Sequence, residues 1–340
     1  MLEIKEVDRK VMLRLTGILV FRLLFCLWIV EVADGASDRA DISLVSMDLT
    51  VPPVVYGEPV PGKRVLQALP QYSDSNVRHA MYLPTDWKKG KTYPVIMEYA
   101  GNGRVIADGT PCLGYGISGG TGFIWVCLPY VSQDRKSDMK NWWGDVNATV
   151  AYCKETVRLV CREWGGDAGN VFISGFSRGS IACNVIGMHD DEIAGLWKGF
   201  ICHSHYDDGR WSGTDAAGAV ERIKRLGRKP QFISNEVPVV EKERIEEYLR
   251  RICPQGRFTF VTLPYFNHTE TWVLRDIRER DLLREWLRRQ ITSEKDEAMV
   301  VPLWPGQPSR FVENVPSELQ NEHEQISRLS IPSIAVHVQQ

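Results

Sequence analysis

The chain has almost no net charge: 41 basic and 43 acidic residues leave −2. No global positive field therefore exists to bind nucleic acid or an anionic membrane surface. Its eight cysteines are scattered and form no C-x-x-C pair, which excludes a zinc ribbon or a thioredoxin-type motif. There is no internal repeat, and no apolar run reaches the ~20 residues needed to span a bilayer without interruption. What remains is ordinary: 340 residues, 44% hydrophobic and 25% charged. That composition excludes a wholly disordered, collagen-like or coiled-coil protein and leaves room for one large α/β domain or two small ones.

Residues 1–35 read as a targeting signal. Arg9, Lys10 and Arg14 precede an apolar stretch from Leu15 to Val30, and Ala33-Asp34-Gly35 supplies small residues at cleavage spacing. Met12 is an alternative start. Arg22 interrupts the stretch and is costly at mid-membrane, so export to a secreted or periplasmic location is favoured over an uncleaved anchor, with no stable membrane insertion after cleavage. Removal of the leader takes Cys26 with it and leaves an odd number of cysteines. Cys127, Cys183 and Cys202 lie in apolar runs and read as small core residues.

Residues 36–75 are proline-rich and extended, with an edge hairpin expected before the core. From residue 76 to 292 the pattern alternates. Strands are expected at Arg78–Leu83, Tyr93–Tyr99, Phe123–Leu128, Val171–Ser174, Gly199–His203, Gln231–Ser234 and Phe258–Pro264. Helices are expected at Val146–Trp164, Arg178–Met188, Ala216–Leu226, Glu241–Ile252 and Ile277–Arg289. Gly101–Gly122 reads as a long glycine-rich loop. Continuous apolar runs such as FIWVCL mark strands buried on both faces. The alternation predicts an α/β fold: a doubly wound, mostly parallel sheet with helices on both faces. Residues 293–340 are polar, weakly periodic and expected to be disordered.

The strongest chemical signal is Gly175-Phe176-Ser177-Arg178-Gly179, a G-x-S-x-G between a buried strand and a helix. A nucleophilic serine must project from a sharp, strained turn, and glycines two before and two after it remove side chains that would collide there. The helix that follows presents N–H groups to a developing oxyanion. Serine needs a base. His268, in the loop after the last apolar strand, is the candidate. The acid is Asp207 (or Asp208), after the strand GFICH, or Glu236, after the next strand; Asp207 is preferred because no aspartate follows Gln231–Ser234. The oxyanion donors are expected from the N–H of Arg178 and from Gly101 and Asn102 after YPVIMEY. The Arg178 side chain is expected to hold a substrate carboxylate or support the oxyanion, or else to form a surface salt bridge.

On these residues the stretch 76–292 resembles an α/β-hydrolase. Residues 146–204 are similar to the secreted esterase branch that includes polyhydroxyalkanoate depolymerases and feruloyl esterases, and the Ser-Arg pair is similar to glucuronoyl esterases. The resemblance implies a Ser–His–acid triad acting on small-molecule or polymer esters, with no cofactor and no metal. Ser177 and His268 take the nucleophile and base positions, and Arg178 and Gly101 the oxyanion region.

Rival readings remain. His203-Ser-His205-Tyr206-Asp207-Asp208 resembles a zinc-ligand loop, so a zinc-dependent hydrolase using His203, His205 and Asp207 is one alternative. A non-catalytic binding protein on the same fold is another. In the esterase reading, His205 and Tyr206 line the site as substrate contacts, and Trp142 and Trp143 form an aromatic wall or a lid on the core. Gly114, Gly116 and Gly119 match G-x-G-x-x-G but lack the strand-to-helix context of a dinucleotide site. Asn147 and Asn267 begin glycosylation sequons.

Overall fold

A computed structural model describes residues 40–106, 111–236 and 238–291. The expected leader and C-terminal tail lie outside the described residues. Within them, no helix is long and apolar enough to cross a membrane.

Nine strands form one sheet: β1 (Val54–Val55), β2 (Arg64–Gln67), β3 (His79–Tyr82), β4 (Tyr93–Tyr99), β5 (Ile124–Leu128), β6 (Gly166–Phe176), β7 (Gly199–His203), β8 (Pro230–Asn235) and β9 (Arg257–Thr262). Their order is β1-β2-β3-β5-β4-β6-β7-β8-β9. β3 runs against both neighbours, and every other pairing is parallel. β1 and β2 pair in parallel, so the expected edge hairpin is absent: a two-residue turn cannot join parallel strands.

Helices cover both faces. On one lie α1 (Leu113–Ser118) and α7 (Arg278–Ile291), packing Leu113, Ile117, Leu283 and Leu287 against Ile96, Trp125, Phe172 and Phe232. On the other lie α2 (Val146–Trp164), α3 (Arg178–Val185), α4 (Asp191–Gly195), α5 (Ala216–Leu226) and α6 (Val240–Ile252). Alternation along β4 explains the two layers: Val95, Met97 and Tyr99 join the second cluster while Ile96 joins the first. α2 shows the local logic. Asp145 accepts from the Ala148 N–H at its start, Val150, Cys153, Val157 and Val160 form the buried stripe, and Gly165 at φ +74° ends it. Cys127, Cys183 and Cys202 are buried core residues, and the seven described cysteines are all free thiols.

α1 corrects the expected loop. Its glycines are there for close packing: a Cβ on Gly114 would lie 2.1 Å from Trp125, and one on Gly116 2.2 Å from Val273. Glu98, fully buried in β4, anchors the helix start by accepting from Leu113 N (3.1 Å), Gly114 N (2.9 Å) and Trp125 Nε1 (2.7 Å).

Candidate active site

The parallel strands all end on one edge of the sheet, and register aligns those ends. Tyr99 pairs with Gly175, Phe176 with His203, His203 with Ser234, and Asn235 with Thr262. The segments that follow β4, β6, β7, β8 and β9 therefore emerge side by side, which is where parallel α/β sheets carry their sites.

Ser177 sits between β6 and α3 at φ +55° and ψ −117°. Both flanking glycines are required. A Cβ on Gly175 would lie 2.1 Å from the Gly179 carbonyl carbon, and one on Gly179 2.0 Å from the Tyr99 carbonyl oxygen. The Ser177 N–H donates to the His203 carbonyl at 3.0 Å, fixing the turn to the end of β7. Strain gathers here: of the five non-glycine residues with positive φ among those described, Ser177, Ser204 and Asn267 lie in the segments after β6, β7 and β9.

His268 Nε2 is 3.1 Å from Ser177 Oγ, and His268 Nδ1 is 2.6 Å from Glu236 Oε1. Serine, imidazole and carboxylate thus form one hydrogen-bonded chain. Burial opposes ionisation of Glu236, but the His268 hydrogen bond, the neighbouring His203 ring and the Ser204 hydroxyl outweigh it and hold the pKa at about 2.

The carboxylate on His268 is Glu236 and not Asp207, which corrects the preferred expectation. Asp207 is fully buried and meets Arg222 Nε of α5 at 2.7 Å. Asp208 pairs with Arg244 and Arg210. Neither faces His268. Tyr206 is also displaced from its expected role as a substrate contact: it is fully buried, and its hydroxyl donates to Gln231 Oε1 at 2.6 Å. His205 is half-buried, with its ring edge-on to Trp211 (4.5 Å between centroids) and to His268 (5.1 Å). Desolvation pushes its pKa down to about 4, so it is neutral at neutral pH.

The zinc loop does not assemble. His203 has Nδ1 3.0 Å from Ser234 Oγ and Nε2 3.2 Å from the Thr269 carbonyl, so both ring nitrogens are engaged. Asp207 is committed to Arg222. No cluster of three or more His, Cys, Asp or Glu suited to a metal occurs among the described residues.

On the oxyanion side, Gly101 lies against the elbow, where an added Cβ would stand 3.1 Å from the Phe176 ring. The Arg178 N–H lies in the first turn of α3, where helical N–H groups lack intrahelical acceptors. The Arg178 side chain neither faces solvent nor forms a surface salt bridge. It is 1% exposed. Its guanidinium donates to the carbonyls of Ala100 (3.4 Å), Met139 (3.1 Å), Trp142 (2.9 Å) and Arg104 (3.1 Å), and it stacks 3.8 Å over the Tyr130 ring. Asn102 is exposed, and its Oδ1 accepts from Trp142 N at 3.3 Å.

Trp142 and Trp143 help line an open cavity of about 450 Å³ together with Met139, Asn141 and Ser212; Ser177, His268 and Glu236 are not part of its wall. Trp143 is 4% exposed and donates to the Ser212 carbonyl, so it works chiefly as a lid on the core.

Sequence reasoning missed Ser204. Its hydroxyl is 2.7 Å from Glu236 Oε1 and 2.8 Å from His268 Nδ1. Its signal in the sequence is its place directly after β7, the strand whose last carbonyl holds the Ser177 N–H.

No family model matches the chain, and no curated protein does. Solved structures do. The chain matches 61% of a thermostable esterase over 66% of its own length, at 15% identity and a TM-score of 0.42. It matches 92% of an S-formylglutathione hydrolase from Agrobacterium tumefaciens over 66% of itself, at 14% and 0.46. It matches 94% of a feruloyl esterase module from Clostridium thermocellum over 72% of itself, at 14% and 0.47. Likeness this distant carries no activity across. The sheet order, the one reversed strand and the strand–turn–helix at Ser177 are what give this chain an α/β-hydrolase fold.

Proposed function

We propose that the protein is a serine hydrolase of carboxylic esters. The observation that carries this reading is the unbroken chain Ser177 Oγ, His268, Glu236 on an elbow held in a strained conformation. Ser177 Oγ attacks the ester carbonyl carbon as its proton passes to His268 Nε2. Glu236 accepts from Nδ1, fixing the tautomer and stabilising the imidazolium. The tetrahedral oxyanion is received by the N–H of Arg178 and by N–H groups of the segment after β4. The C–O bond then breaks, and His268 returns its proton to the departing alkoxide. Water, deprotonated by His268, then attacks the acyl carbon; the bond to Ser177 Oγ breaks, the acid departs, and His268 returns the proton to Oγ.

A carboxylate stands against His268, so no observation favours the non-catalytic binding-protein alternative. Export belongs to the proposal and is supported by the basic-then-apolar run before Gly35.

Labelling with a fluorophosphonate tests the reading. Wild type takes one label and hydrolyses p-nitrophenyl esters; Ser177→Ala takes none and loses at least ~10³-fold in kcat. Folded wild type that stays unlabelled would sink it.

A further inference from the structure

We infer that Ser204 is a positioning residue of this site, holding the Glu236–His268 pair in register through its hydroxyl; the inference rests on the esterase reading above. Two independent observations carry it. The first is contact: Ser204 Oγ lies 2.7 Å from Glu236 Oε1 and 2.8 Å from His268 Nδ1, while those two atoms are 2.6 Å apart. The three atoms form a closed triangle. The serine donates its one proton to the carboxylate, and the ring N–H lies between two oxygens. Ser204 itself is 5% exposed.

The second observation is backbone conformation. Ser204 sits at φ +80°, which favours glycine over any residue with a Cβ. Its backbone is held from both sides, the N–H donating to the Ser234 carbonyl at 2.7 Å and the carbonyl accepting from Asn235 Nδ2 at 3.0 Å. Glycine would meet both bonds without strain. A serine in that place is explained by what its hydroxyl does. Glu236 has its own need for such a partner: it follows β8 directly, and its side chain has one more rotatable bond than an aspartate. Without a second contact on Oε1 the carboxylate would swing away from Nδ1.

The conformation also supplies a test in which the fold is not at risk. Ser204→Gly removes the hydroxyl and relieves the backbone together. The expected result is kcat for p-nitrophenyl acetate lowered ~10-fold at unchanged KM, with a thermal midpoint at or above that of wild type. In a Glu236→Gln background the same change costs less than ~2-fold, because nothing is left to position. A spectroscopic readout does not depend on turnover: the His268 Nδ1 proton resonance shifts in Ser204→Gly. Wild-type kcat in Ser204→Gly, a ~10-fold loss that persists undiminished beside Glu236→Gln, or an unmoved ring-proton resonance would each overturn the inference. Failure of the esterase reading is separate: wild type then shows neither turnover nor fluorophosphonate labelling, and the resonance alone decides the place of Ser204.

Discussion

Asp207 and Glu236 follow adjacent strands, β7 and β8, and both are largely removed from solvent. One meets an arginine of α5 and the other the imidazole beside Ser177. Their titration differs accordingly. Burial outweighs Arg222 and raises the Asp207 pKa, whereas Glu236 is held down to about 2. The difference lies in distance from the strand end. Glu236 is the first residue after β8 and stays at the level of the elbow. Asp207 comes four residues after β7, and its buried carboxylate is turned to Arg222 of α5. A carboxylate reaches this imidazole by standing directly at its strand end.

The sharpest way to break the comparison is to neutralise each acid. Glu236→Gln is expected to lower kcat by at least ~10²-fold, since the imidazole loses both its tautomer and its counter-charge. Asp207→Asn is expected to leave kcat within ~3-fold and to alter thermal stability instead. Steady-state kinetics and melting curves on both variants decide this, and the reverse ranking would return the acid to Asp207.

Acid titration of stability sharpens the contrast, because the two groups have opposite signs. The Glu236 pKa lies below its ordinary 4.5, so its contribution is complete above pH 4.5 and lost as pH falls toward 2. The advantage of wild type over Glu236→Gln is expected to shrink across that window by about 3 kcal/mol. The Asp207 pKa is raised above its ordinary 3.8, so wild type gains on Asp207→Asn as pH falls through the folded value toward 3.8. Denaturant unfolding of the three proteins at stepped pH measures both slopes; parallel slopes would refute the assignment.

The smallest effect tests side-chain length. Glu236→Asp keeps the charge but withdraws it from Nδ1, and a loss of ~10-fold in kcat is expected. Unchanged kcat would mean that the loop closes the gap and that length is irrelevant.

The layers of this fold were legible in sequence because their signals are local. IWVCL, short, apolar and rich in β-branched and aromatic residues, reads as a strand buried on both faces, and Asp145 and Gly165 bracket α2 by cap chemistry alone. That Ser177 and His268 meet followed from the elbow motif and from their places after strands. The acid did not, because choosing between Asp207 and Glu236 needs the height of each residue above the sheet edge, which depends on register across strands far apart in sequence. α1 was hidden for a related reason: Gly114 and Gly116 depress helix propensity locally, and their purpose, contact with Trp125 and Val273, is tertiary. The buried course of the Arg178 side chain carried no sequence signal, since its acceptors are main-chain carbonyls available on any residue.

Those acceptors tie two segments of the chain together. A single guanidinium holds the carbonyls of Ala100 and Arg104 in the segment after β4 and those of Met139 and Trp142 in the segment after β5. In the proposed esterase, a change at Trp142 would therefore reach the segment that receives the oxyanion through one buried cation. On the other side of Ser177, His205 touches His268 and Trp211 packs on His205, and neither shares this tether.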